Sequence, residues 1–221
     1  MTNLFWLIKF GRKEHLESLM NKGQMRFGSI KEFESSTKNE RGDKFEGAIN
    51  IVNGQFSKIE YDHPDLGKGS FKPAQDTRGT ITNFTDDPYF CFSSYALTSD
   101  CFKEDSYEID KRMLDFGEYA LVIKEPILFF NHVKNKLNNL GIEYSYKLIH
   151  YKDYKQEGKI TTNLFSKTDD LSHQFEHRTL IRTKTKKEEV FIEVGSIEEF
   201  CFLSRADEMI QTAFTVKRNK Y

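Results

Sequence analysis

"QFEHRTLIRT", residues 174–183, alternates as a β-strand does, yet it carries polar and charged groups where a strand commonly keeps apolar ones. A period of two places Gln174, Glu176, Arg178 and Arg182 on one face and Phe175, His177, Thr179 and Ile181 on the other. The polar face has two readings. It is a solvated strand surface on which Glu176 and Arg178 form an ion pair of little energetic weight, or it is turned into a cleft where Glu176 does chemistry.

The neighbouring segments favour a strand-rich frame. Residues 142–151 (IEYSYKLIHY) and 188–195 (EEVFIEVG) are strand-like, as are the earlier 3–10 (NLFWLIKF), 24–29 (QMRFGS), 87–97 (DPYFCFSSYAL) and 118–124 (EYALVIK). Helices are expected at 12–23, with Leu16, Leu19 and Met20 inward and Gly23 as stop signal, and from Pro126 at a first helical position to Gly141. Residues 106–116 and 205–214 suggest shorter helices, and 197–204 fits either helix or strand. Asn53-Gly54 is the strongest hairpin signal in the chain, and Asp62 to Arg78 is expected to be a long, lid-like loop. In the charged stretch 30–47, Phe33 and Phe45 are expected to pin the ends to the core. The architecture expected is α+β: a mixed or split sheet around a central cleft, with a few short flanking helices, in a single domain spanning 1–221.

Composition narrows the classes. With 20 Phe and 10 Tyr among 221 residues the chain can bury a sizeable core. The 33 basic and 34 acidic side chains leave no global field to draw it onto nucleic acid or an anionic membrane. Cys91, Cys101 and Cys201 are too few and too dispersed for a disulfide framework or a zinc site, so buried reduced thiols in a cytoplasmic protein are expected. No apolar run approaches the roughly 20 residues that span a bilayer, so no membrane partner is expected. Phosphate-binding, dinucleotide-binding, zinc-protease and nucleophile-elbow motifs are absent. His173 and His177 would share a helix face, but on a strand they stand about 13 Å apart, which argues against a metal site.

Three segments together carry a resemblance. The opening LIKFGRKEHLESLMNKGQMRFGSIKEFE (7–34) with RGDKFEG (41–47), the central YFCFSS (89–94) and the closing FSKTDDLSHQFEHRTLIR (165–182) resemble a group of uncharacterised prokaryotic proteins. That group has an acidic Asp-x-Phe-Glu loop, a Phe-Ser strand, and a Lys shortly before an acid-x-Glu-x-Arg strand. The order of parts is similar to the ADP-ribosyltransferase fold. The resemblance implies NAD as cofactor, with Glu176 catalytic and Gln174 orienting the acceptor. It further implies Ser93 and Ser94 as the middle motif and Lys9 with Phe10, or alternatively Arg26, on the cofactor. This chain departs from the group after Ser94, where YALTSDCFKED replaces the usual aromatic and His-Tyr residues. The activity implied is transfer of ADP-ribose to a macromolecular acceptor, protein or nucleic acid, by a toxin or antiviral-defence effector with a cognate antitoxin or inhibitor protein as a further partner.

The chemistry stands without the family. Cleaving the nicotinamide glycosidic bond passes through an oxocarbenium-like cation, and a carboxylate on a rigid strand stabilises charge that exists chiefly in the transition state. The competing account is a non-catalytic nucleic-acid-binding module, in which the basic runs RTKTKKEE (182–189) and VKRNKY (216–221) and the tyrosines 144, 146, 151 and 154 meet phosphates and bases.

Overall fold

The computed structural model describes residues 2–35, 42–72, 78–102, 106–185 and 188–215. Strands dominate, with a few short helices. An eight-stranded sheet runs in the order Glu143–Leu148, Glu176–Arg182, Tyr89–Thr98, Leu4–Gly11, Tyr119–Ile123 and Cys201–Arg205. Off this path, Gln24–Ser29 pairs with both Tyr89–Thr98 and Glu189–Glu193. Among the described residues every pairing within this sheet is antiparallel, so the sheet is not mixed.

The split lies along the central strand. One edge of Tyr89–Thr98 is paired continuously with Glu176–Arg182, from Tyr95 opposite Glu176 to Tyr89 opposite Arg182. Its other edge is shared. Tyr95 is the last residue facing Leu4–Gly11, opposite Ile8, while Cys91 and Phe90 face Gly28 and Ser29. Leu4–Gly11 therefore leaves the central strand after Ile8, yet remains paired to Tyr119–Ile123 through Gly11. Phe92 to Ser94 face the gap. A backbone carbonyl without a ladder partner is costly to bury, and the Lys9 ammonium donates to the Ser93 carbonyl from across the opening.

The ten-residue helix Lys13–Lys22 bridges the gap from one wall to the other. It ends at Gly23, whose φ of 64° is the left-handed conformation glycine tolerates. A Cβ there would meet the Gly195 carbonyl at 2.1 Å, so the position admits only glycine. Its apolar stripe, Leu16 and Leu19, joins Leu7, Phe27, Phe92 and Ile181 on one face of the sheet, where Phe129, Val133 and Leu137 of helix Pro126–Asn139 complete the packing. On the opposite face Ile8, Phe10, Tyr95 and Val122 pack against Met113, Met209 and Ile210. Burying a side chain of this size contributes about 1.5–3 kcal/mol. Among the described residues no helix is long and apolar enough to cross a membrane. The three thiols are buried and unbridged.

Several expectations need correction. The ladder of QFEHRTLIRT begins only at Glu176. Gln174 ends a 3-10 turn, Asp169–Gln174, and Phe175 is left-handed at φ 37°, which breaks the alternation. Asn53-Gly54 is not a turn but the interior of strand Ala48–Gln55, which pairs with Arg78–Phe84 and Gly158–Thr161. The Asn53 amide donates to the Tyr154 and Gln156 carbonyls and accepts from Thr80, so long-range bonds override the local signal. The expected long loop contains a hairpin, Ile59–His63 with Gly67–Phe71, while residues 73–77 lie outside the described residues. The segment 106–116 is a two-residue strand and a 3-10 helix, because the Asp110 carboxylate caps Arg112 N–H and starts a new turn. Residues 197–204 divide into a 3-10 turn and an edge strand.

Candidate functional site

The left-handed turn at Phe175 sets the site. A bulky residue in this conformation costs about 1–3 kcal/mol; its ring packs against Tyr95 and Tyr107, with centroids 5.9 and 5.8 Å away. The reversal lets Gln174, on the turn, and Glu176, on the strand, meet the same amine. Lys167 Nζ donates to Gln174 Oε1 at 3.0 Å and pairs with Glu176 Oε2 at 2.7 Å. The Glu176 backbone N–H donates to the Tyr151 hydroxyl at 2.9 Å, which fixes the first residue of the ladder.

Glu176 is held from three sides. Its Oε1 accepts from Ser93 Oγ at 2.5 Å and from Arg178 Nε at 2.8 Å. Arg178 is two residues along on the same face; its Nη1 and Nη2 fork onto the two oxygens of Glu46 at 2.6 and 2.9 Å, and Nη1 also reaches the Leu164 carbonyl at 2.7 Å. Glu46, Lys167, Glu176 and Arg178 are 3, 7, 5 and 1% exposed, so the solvated ion pair is excluded: this is a buried network of two anions and two cations. Burial alone would push the Glu176 carboxyl up, but Arg178 and Lys167 outweigh it and hold the group well below the usual carboxylate range. At neutral pH Glu176 is an anion. It is suited to stabilising positive charge and unsuited to donating a proton. Burial, then the neighbouring Glu46, raises the Asp43 carboxyl, which favours its neutral form beside the network.

The network floors a cavity of about 490 Å³ that opens where the sheet splits. Lys9, Phe10, Arg26, Ser93, Ser94, Gln174 and Glu176 all border it. They do not stand equally. Ser93 touches the carboxylate, whereas Ser94 faces His177 across the ladder and alternation sends its side chain to the opposite face. Lys9 Nζ sits 4.6 Å above the Phe92 ring on one wall. Arg26 is at the rim, where its guanidinium pairs with Glu32 and Glu189. Sequence reasoning missed Glu46, Lys167 and Arg178 as members of the site, and Arg12 and His15 at its border. Glu46 and Lys167 lie in the quoted DKFEG and FSKTDD segments, but neither segment shows that one arginine joins them. Among the described residues five basic side chains (Lys9, Arg12, Arg26, Lys167 and Arg178) border the cavity against three carboxylates (Glu32, Glu46 and Glu176).

Behind the site, His177 packs against Phe130 at 4.7 Å, and burial pushes its imidazole down to about 4. The unfolded chain binds that proton near pH 6.5, so stability is retained above 6.5 and lost as pH falls toward 4. The loss from this residue is expected to reach about 3 kcal/mol at pH 4. Glu176, whose folded value is depressed, adds a further loss only below about pH 4.5. Urea unfolding across pH 7.5 to 4.5 should show the first slope in the wild type and not in His177→Phe; equal slopes in both would place the titration elsewhere.

The tyrosines of the binding-module account do not form one exposed stacking surface. Tyr154 is 3% exposed, Tyr151 serves the Glu176 backbone, and only Tyr146 is well exposed. Of the basic runs, residues 186–187 and 216–221 lie outside the described residues. Comparison with protein-family models, with curated proteins and with solved structures finds no match to this chain.

Proposed function

We propose that the cavity binds NAD and that the protein is an NAD-dependent ADP-ribosyltransferase of the corresponding fold, acting on a macromolecular acceptor, protein or nucleic acid. The observation that carries this reading is a carboxylate, Glu176, held ionised at neutral pH by Arg178 and Lys167 and bonded to Ser93 on the floor of a cleft in an antiparallel sheet. In the reaction the bond between ribose C1′ and the nicotinamide nitrogen breaks. The electron pair would go to the ring, which would leave neutral, and the acceptor nucleophile would add at C1′ and release its proton to solvent. A carboxylate has about four acceptor sites. Ser93 and Arg178 fill those of Oε1 and Lys167 takes one on Oε2, so among the described residues one site on Oε2 is left for a ribose hydroxyl. The excess of basic groups complements a diphosphate, with Lys9 and Arg12 nearest in role to the cofactor and Arg26 at the entrance. A role in toxicity or antiviral defence, with an antitoxin partner, rests on the resemblance alone.

The reading is tested with NAD labelled in its ADP-ribose half, incubated with purified protein and a cell lysate. Nicotinamide release, label on a macromolecular fraction and a rise in melting temperature with NAD are the expected results. Absence of both NAD consumption and thermal shift would overturn it.

A further inference from the structure

Strand Glu143–Leu148 is an outer edge of the main sheet: among the described residues it is paired only to Glu176–Arg182. An open edge is a template for another strand. The Ile149 N–H donates to the Glu176 carbonyl, and by alternation Lys147, Ser145 and Glu143 also direct their backbone groups inward. Tyr144, Tyr146 and Leu148 therefore direct theirs outward. Two copies meeting edge to edge about a two-fold axis can form hydrogen bonds only in registers that oppose these outward residues. One such register is centred on Ser145. It sets Tyr144 opposite the second copy's Tyr146, with both hydrogen-bonded, and Glu143 opposite Lys147 twice over.

From this register we infer that the protein forms a homodimer through antiparallel pairing of Glu143–Leu148 with its counterpart in a second copy, which continues the sheet across the axis. The strand is self-complementary in charge and in ring contacts, and opposite charges and aromatic pairs directly across from each other stabilise a sheet. It is also accessible, with Glu143, Ser145, Tyr146, Lys147 and Leu148 all exposed. Tyr146 is already braced in place, stacked on Phe130 at 5.0 Å and 3° and on Tyr144 at 6.3 Å and 9°. Two other outer strands of the main sheet, each paired about its central residue, lack the property. Glu189–Glu193 paired with itself about Phe191 opposes Glu189 to Glu193, like against like, and Cys201–Arg205 about Leu203 opposes a thiol to an arginine. The inference does not depend on NAD: it concerns an edge one strand away from Glu176, and its readout is assembly.

Sedimentation equilibrium of the full chain over a concentration series is expected to show a dimer. Lys147→Glu places four like charges across the axis and is expected to weaken association by about tenfold or more. The double variant Glu143→Lys with Lys147→Glu restores the opposition and should restore the dimer. Ser145 meets its counterpart at a non-hydrogen-bonded position, where Cα atoms stand about 4.5 Å apart, within disulfide reach. Ser145→Cys protein should therefore cross-link under mild oxidation, against a background of three buried native thiols. A monomer at every concentration would overturn the inference. So would a dimer indifferent to Lys147→Glu in which the Ser145→Cys protein fails to cross-link, since the copies would then meet on another surface.

Discussion

Arg178→Leu is expected to lower the unfolding free energy by about 3–5 kcal/mol, a large part of the stability of a protein of this size. The guanidinium is 1% exposed and is the only group among the described residues that touches both Glu46 and Glu176. Removing it leaves two buried carboxylates and a single cation, Lys167, which pairs with Glu176. Glu46 is then stranded, because the cost of breaking a buried ionic group lies in the partner left behind rather than in the attraction lost. Glu46→Leu combined with Arg178→Leu leaves Lys167 and Glu176 as a balanced pair, so the double variant is expected to be more stable than Arg178→Leu alone. Urea unfolding of the three proteins measures both effects. Additive losses would mean that the network acts through packing rather than through charge balance.

Under the proposed transferase reading, Glu176→Gln is expected to reduce turnover by about 10²–10³-fold, a magnitude typical of removing one preorganised electrostatic group from a transition state. Glutamine keeps the shape and leaves an oxygen for Lys167 or Arg178, but it supplies no negative charge to a developing ribosyl cation. The loss should fall on kcat rather than KM, because the charge it answers is absent from bound NAD. The NAD-dependent rise in melting temperature should survive, which separates a failure of chemistry from a failure of the fold. Unchanged kcat would remove Glu176 from the reaction while leaving cofactor binding in place.

The parts of the fold legible in the sequence are those fixed by local pattern: the helices at Lys13–Lys22 and Pro126–Asn139, with their glycine and proline signals, and the long strands at Leu4–Gly11 and Tyr89–Thr98. Elements decided by distant partners were not. Asn53-Gly54 has the composition of a turn and is held extended by carbonyls about a hundred positions away. The ladder at 174–183 has the right period but begins two residues late, because the Phe175 ring finds Tyr95 and Tyr107 and carries its backbone into the left-handed region. In the site, alternation brought Glu176 and Arg178 to one face, yet nothing in that pattern shows that Arg178 reaches back to Glu46. Charge in a sequence carries no sign of its burial until its partner is found.

The reversal at Phe175 also divides the labour of the site. Gln174 and Glu176 converge on one lysine but belong to separate mechanical parts, a short turn and a strand locked into the sheet. Under the transferase reading, the group that chooses the acceptor sits on a cassette that can be exchanged, Asp169 to Gln174, while the group that answers the cation stays anchored to the frame. Selectivity in such a protein can drift or be engineered by grafting that turn, provided position 174 keeps an acceptor for Lys167, which also holds Glu176.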